Sequence, residues 1–299
     1  MEIVVFGAGS LGSLVGGVLA RDHDVTLVGR ERHVRAIEKR GLRIEGAIEA
    51  QVDVAATTDG TGLTADLVVV TVKAFDTVEA AKTLETGSFD ATLSLQNGMG
   101  NEAILARHLD AVVLAGTATY GALHTEPGVV ECTGIGEIVL GSHEGGASSE
   151  ADRVGDAFAA AGLETAVSST MPRRLWEKLA INAGINAITA LADVDNGAIR
   201  MGEANELARA ATRETARTAR EEGIRLSNRV ALQNMESVAD ATAANTSSMR
   251  QDVHAGRPTE IDAINGYVVD RAAERGIEVP SNRLLTGLVR TWERGRTLR

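Results

Sequence analysis

The sequence predicts an α/β fold in its first half, a Rossmann-type doubly wound sheet, followed by an all-α C-terminal domain. Three observations carry that expectation. A short apolar strand runs directly into Gly7-Ala8-Gly9-Ser10-Leu11-Gly12, and apolar runs of strand length recur downstream. Beyond Pro172 no convincing strand remains, while helix-length windows follow one another. The polar stretch Ser168-Ser169-Thr170, with Pro172 after it, reads as the linker. It divides the chain into a dinucleotide-binding domain at 1–169 and a helical substrate domain at 170–299.

Residues 2–6 (Glu-Ile-Val-Val-Phe) form the first strand, a helix-like run continues to Ala20, and residues 24–28 form the second strand. That context makes the GxGxxG spacing a credible dinucleotide cradle, where a bare match would be weak. Gly7 permits the tight turn, Gly9 lets a pyrophosphate approach the backbone, and Gly12 lets helix and strand pack closely. Ala8, Ser10 and Leu11 complete the cradle, with the phosphates on the helix N-terminus. The second strand ends in Gly29-Arg30-Glu31-Arg32. Arg30 suits a ribose 2′-phosphate and so favours NADP (NADPH), although Arg30 can equally be a solvated loop charge. Glu31 can grip a ribose diol, which leaves NAD open.

Residues 66–71 (Asp-Leu-Val-Val-Val-Thr) are apolar throughout, as in a strand buried on both faces. Lys73 follows at the carboxyl edge of the sheet, within reach of a cofactor phosphate or a substrate; an ordinary loop lysine fits that position as well. Residues 91–95 lead into Gln96-Asn97-Gly98-Met99-Gly100. Asn97 there can bond a nicotinamide ribose or the substrate, or simply serve a turn, since Asn-Gly favours positive φ. From Val112 to Gly141 the β-rich segments suggest a hairpin or antiparallel addition to the sheet. His124, a lone histidine in that region, reads as structural or exposed. A helix at 150–161 and a strand at 164–167 close the domain.

Helical windows run at about 172–191, 196–223, 227–245, 259–275 and 281–296. Gly223 and Gly276 mark C-terminal stops, and Ser227, Thr259 and Ser281 are candidate N-caps. The Arg/Glu alternation from Arg209 to Glu221 reads as a solvated or subunit-facing surface. A nucleotide-binding domain followed by a helical one implies a cleft between them, a usual place for a small-molecule site.

The most informative stretch is Trp176-Glu177-Lys178-Leu179-Ala180-Ile181-Asn182-Ala183-Gly184-Ile185-Asn186. On a helix, Lys178, Asn182 and Asn186 stand four residues apart and share one stripe. Only four of the thirty basic residues in the chain are lysines. A lysine beside two amides on an apolar helix therefore points to a transferable proton, which arginine cannot supply.

Bulk properties narrow the function classes. A net charge of -11 argues against a nucleic-acid partner. No run approaches the ~18 apolar residues of a membrane span, and the first twenty residues lack a basic leader and carry five glycines. Cys132 stands alone, in keeping with a reducing cytoplasm. No metal-ligand spacing stands out. Apolar turns of the C-terminal helices leave room for a homodimer.

Taken together, the chain resembles the ketopantoate reductases, also called 2-dehydropantoate 2-reductases. The resemblance rests on Gly7–Gly12, Val72-Lys73, Gln96–Gly100, Leu175–Asn186, Asp195-Asn196-Gly197, Ser247–Asp252 and Thr259–Gly266. It implies reduction of 2-dehydropantoate, a small 2-oxo acid, to (R)-pantoate by NADPH, on the route to pantothenate and coenzyme A. It implies Lys178 as general acid and Asn182, Asn186, Asn196 and Ser248 as substrate-site residues. It further implies Asn97, Lys73 and Arg30 as cofactor contacts. Glu260 would accept from a substrate hydroxyl and orient Lys178. Taken alone, an acid at 260 is equally explained by a helix first turn. The rival readings are a β-hydroxyacid- or opine-type dehydrogenase and a non-catalytic NADP-binding sensor.

Overall fold

The computed structural model describes residues 1–298. These form two compact units, one of Met1–Gln96 with Asn101–Met171, the other of Asn97–Gly100 with Pro172 onward. The four-residue turn Asn97–Gly100, read from the sequence as part of the first domain, thus groups with the helices.

The first unit runs β1 (Glu2–Phe6), α1 (Ser10–Leu19), β2 (Asp24–Val28), α2 (Glu31–Arg40), β3 (Leu42–Gly46), β4 (Ala50–Val52), β5 (Ala55–Thr57) and β6 (Thr64–Val70). It continues with α3 (Thr77–Leu84), β7 (Ser88–Ser94), α4 (Asn101–His108), β8 (Val112–Ala118), β9 (Gly121–Glu126), β10 (Val129–Gly134), β11 (Ile138–Ser142), α5 (Ser149–Ala160) and β12 (Thr165–Val167). Eight strands make one sheet in the order β12-β11-β8-β7-β6-β1-β2-β5. From β5 to β8 every pairing is parallel, and β11 runs antiparallel to β8. The strand order reverses between β1 and β6, the switch point at which ligands bind in open α/β sheets. Val4, Val5, Val68 and Val69 are buried, as strands covered on both faces require.

Both forms expected between Val112 and Gly141 occur: β11 adds to this sheet antiparallel to β8, and β9 and β10 pair as an antiparallel hairpin outside it. The hairpin forms a second sheet with β3 and β4, in the order β4-β3-β10-β9. Helix α1 packs on both sheets through adjacent glycines. A methyl at Gly16 would lie 2.5 Å from Leu27, and one at Gly17 would lie 2.8 Å from Leu42. Without side chains at those two positions, backbone and sheet approach closely on both sides.

The helical unit holds α6 (Met171–Ala192), α7 (Gly202–Glu221), α8 (Asn228–Ala241), α9 (Ser248–His254), α10 (Tyr267–Glu274) and α11 (Pro280–Arg294). Its core is rich in alanine, including Ala180, Ala183, Ala211 and Ala219, all fully buried. Several windows break where the sequence suggested continuity. A 3-10 turn at Asn196–Arg200 precedes α7, the short α9 lies beyond the expected windows, and the segment from Thr259 enters α10 through a π turn at Asp262–Gly266. The expected stops at Gly223 and Gly276 are left-handed residues that end α7 and α10. Ser227 caps α8 by accepting from the Val230 N–H. Ser281 lies inside α11 and caps nothing, and no α-helix opens at Thr259, although its Oγ1 accepts the Ile261 N–H just ahead of the π turn. No described helix is long and apolar enough to cross a membrane.

Candidate active site

The glycine-rich turn closes β1 against β6. Gly7 sits at φ +113, and a Cβ there would lie 2.7 Å from the Val72 nitrogen. A Cβ at Gly12 would come within 2.3 Å of the Gly7 carbonyl, so neither position tolerates a side chain. Gly9 differs: a Cβ there would meet nothing nearer than 3.9 Å, so the space over it is open. The amides of Gly7 and Ala8 both donate to the Val28 carbonyl, at 3.0 and 2.8 Å. Those two residues therefore shape the turn. The first-turn N–H groups of Ser10, Leu11 and Gly12 lack an acceptor within the helix and are the ones able to meet an anion. No acidic side chain stands in that first turn.

Arg30 is the N-cap residue of α2, and Glu31 pairs at 2.5 Å with Arg35 one turn along the same helix. Lys73, half-buried, caps a 3-10 turn at Ala74–Asp76 beyond β6. Partial burial raises the carboxyl of Asp76 while the charge of Arg30 pulls it back down, so these groups are neighbours. A buried network that the sequence did not disclose fixes this loop. Gln96 donates to the Val72 carbonyl at 3.1 Å and to Thr77 Oγ1 at 2.7 Å, and Thr77 Oγ1 lies 2.8 Å from Asn101.

His124 is not alone. Its Nε2 lies 2.9 Å from Nδ1 of His33, which also accepts the Gly128 N–H, while His33 Nε2 meets Ser13 Oγ at 2.9 Å. The main-chain N–H of His124 donates to Ser10 Oγ in the glycine-rich turn. Burial, then the neighbouring His124, lowers His33 to about 4. Burial first, opposed by a backbone hydrogen bond and reinforced by Arg30, lowers His124. Both rings are thus neutral supports behind the turn.

In the helical unit, α6 carries Lys178 and Asn182, both half-buried, and Asn186, which is 6% exposed. The turn bearing Glu260 packs on this helix. Asn265 donates to the Ala183 carbonyl at 3.0 Å, and the Tyr267 ring lies 5.9 Å from that of Trp176. Glu260 is 5% exposed, and its Oε2 accepts from Asn97 Nδ2 at 3.4 Å. Asn97 reaches it because the Met99 N–H donates to the Ala263 carbonyl and Gly98, at φ +81, lies flat on Ala263; a Cβ at 98 would be 2.5 Å from that methyl. Two candidate residues far apart in sequence are therefore joined.

Asn196 serves the loop before α9. Its Nδ2 donates to Thr242 Oγ1 at 3.0 Å, its N–H donates to the Asn245 carbonyl, and its buried Oδ1 has no partner among the described residues. Ser248 is exposed at the first position of α9. Its neighbour Ser247 does the anchoring: it caps α9 through the Arg250 N–H and lies 2.7 Å from Thr189 Oγ1, one turn beyond Asn186. A serine immediately before a helical run signals such a cap, and the Ser-Ser pair conceals which one acts. No group of described residues is arranged to hold a metal ion.

Residues 3–145 match the family model described as ketopantoate reductase PanE/ApbA, and residues 170–293 match its C-terminal counterpart. The chain belongs to the ketopantoate reductase family. With that family it is an NAD(P)-dependent oxidoreductase acting on CH–OH groups. It is 45% identical to the 2-dehydropantoate 2-reductase of Halobacterium salinarum, across 98% of this chain and 99% of that protein. A crystal structure of a PanE/ApbA family ketopantoate reductase from Ralstonia eutropha superposes with a TM-score of 0.91 at 36% identity, covering 99% of this chain and 100% of the other. A ternary structure of D-mandelate dehydrogenase with NADH and anilino(oxo)acetate superposes at 0.93 with 25% identity, covering both chains completely.

Proposed function

We propose that the protein reduces 2-dehydropantoate to (R)-pantoate with NADPH, a step toward pantothenate and coenzyme A. The main support is the 45% identity to a 2-dehydropantoate 2-reductase over nearly the full length of both chains. The residues fit a dinucleotide: Gly9 leaves the approach open, first-turn amides face outward, and no carboxylate opposes them. When bound, the nicotinamide supplies hydride to the oxo carbon.

The rest belongs to the chain. Ser10, Leu11 and Gly12 hold the pyrophosphate through their amides, with Gly7 and Ala8 shaping the turn. Arg30 meets the 2′-phosphate, and Lys73 lies at the same sheet edge. Lys178 donates its proton to the carbonyl oxygen as negative charge develops there. Asn182 and Asn186 align the substrate without competing for that proton, since amides are neutral at working pH. Ser248 donates to the substrate carboxylate, and Asn196 stands close by α9 as a further substrate-site amide. Glu260, steadied by Asn97, accepts from a substrate hydroxyl and orients Lys178. Leu284 and Leu288, exposed on α11, are the apolar surface through which two copies would pair. The buried, lone thiol of Cys132 suits a reducing cytoplasm.

A second reading is reduction of a bulkier 2-oxo acid with NADH, favoured by the full-length likeness to D-mandelate dehydrogenase. Steady-state assays of NADPH and NADH against 2-dehydropantoate and phenylglyoxylate separate the two. The expected result is a higher kcat/KM for NADPH with 2-dehydropantoate, and a loss of kcat of ~10²–10⁴-fold in Lys178→Ala. Unchanged turnover in that variant removes Lys178 from the mechanism, and preference for NADH with phenylglyoxylate transfers the assignment to the second reading.

A further inference from the structure

Glu293 lies in the last turn of α11, where the helix dipole disfavours a carboxylate, and is only 1% exposed. Its Oε1 accepts two hydrogen bonds from one residue, Thr259, at 2.8 Å from the N–H and 2.7 Å from Oγ1. Thr259 Oγ1 in turn lies 3.3 Å from the Ile261 nitrogen and accepts its N–H. One turn earlier on the same face of α11, Arg290 Nε donates to Asp262 Oδ1 at 2.8 Å. One helix therefore grips both ends of the segment 259–262. Inside it, the Ile261 side chain is fully buried, and the Glu260 carbonyl accepts from the N–H groups of Ala263 and Ile264, both at 3.1 Å. The main chain on either side of Glu260 is thereby held, and its carboxylate accepts from Asn97.

We propose that Glu293, assisted by Arg290, is a positioning residue for the reduction, acting through Thr259 to hold the Glu260 carboxylate in place. The inference rests on the role assigned to Glu260 above. Charge-assisted hydrogen bonds to a buried carboxylate hold a backbone more rigidly than neutral ones. Displacement of a reacting or orienting group by about 1 Å costs up to ~10²-fold in rate.

The test compares Glu293→Ala, Glu293→Gln, Arg290→Ala, Glu260→Ala and the Glu293→Ala/Glu260→Ala double variant in NADPH-dependent reduction of 2-dehydropantoate, alongside NADPH affinity by fluorescence titration. Glu293→Ala is expected to lose at least about tenfold in kcat/KM with NADPH affinity unchanged. Glu293→Gln, which keeps an oxygen acceptor for Thr259 but loses the charge, restores only part of the activity. In the Glu260→Ala background the Glu293→Ala change costs nothing further. Wild-type kinetics in Glu293→Ala, or an undiminished loss in the double variant, overturns the proposal. If Glu260→Ala alone is fully active, the role of Glu260 falls instead, which is a separate result. Should Glu293→Ala not fold, Arg290→Ala takes its place, with a smaller loss that must likewise vanish without Glu260.

Discussion

His33 is held neutral by burial and by the neighbouring His124 ring, and its pKa falls from 6.5 to about 4. An unfolded chain protonates this histidine at higher pH than the folded chain does, so neutrality favours folding. That stabilisation is complete above about 6.5 and is lost as the pH falls toward 4. It amounts to about 3 kcal/mol. Thermal unfolding followed from pH 7 to pH 4 should show a steep fall in Tm for the wild type and a shallower one for His33→Gln; parallel curves would show that another group governs acid stability. In the sequence His33 and His124 were single letters ninety-one positions apart, and nothing local to either disclosed the pairing. Lys178, Asn182 and Asn186 were more legible, because their spacing declares a shared helical face. Glu260 was intermediate. The residue type fitted a helix first turn equally well, and only the resemblance to a family singled it out.

At the scale of elements, α11 shows how capping can pass between helices. Its N-terminus has no side-chain cap of its own; Glu214 of α7 accepts the N–H groups of Ser281 at 3.0 Å and Asn282 at 2.9 Å. The same carboxylate receives the Asn282 side-chain amide at 2.9 Å. Because a capping group contributes about 0.5–2 kcal/mol and this one is shared with a buried amide, Glu214→Ala should cost ~2 kcal/mol in urea unfolding. A loss below ~0.5 kcal/mol would show that Asn282 or water replaces it. Ser281 looked like the cap from sequence because serine before an apolar run usually is one. The true partner lies sixty-seven residues earlier, inside an Arg/Glu run that reads as solvated surface. Arg220 is exposed, as that surface reading expects, and also donates to the Leu226 carbonyl at 2.8 Å. Strands β3 to β5 escaped notice for a related reason: they are short, and their pairing partners are remote.

For the whole molecule the dominant physical fact is a net charge of -11. Like charges at that density oppose compaction, and salt shortens their reach from ~10 Å at 0.1 M to ~3 Å at 1 M. Exposed ion pairs such as Arg43–Glu45 weaken under the same screening but contribute little individually. Tm should therefore rise with KCl, most steeply at the low end; a flat or falling profile would mean that the ion pairs outweigh the net repulsion. The division into a sheet-bearing half and a helical half was legible throughout, because the period of the apolar pattern changes near Pro172. The assignment of Asn97–Gly100 was not, because no periodicity marks a turn that packs away from its neighbours in sequence.

That turn ties the polypeptide into a figure that a single cut cannot undo. The chain crosses between its two units at Gln96–Asn97, returns at Gly100–Asn101, and crosses again after Met171. A fragment beginning at Pro172 would leave the Glu260 carboxylate without the amide that meets it, and the complementary fragment would carry an orphaned loop. Exchange of sheet-bearing halves between homologues accordingly requires four transplanted residues, Asn97 to Gly100, to travel with the recipient's helices.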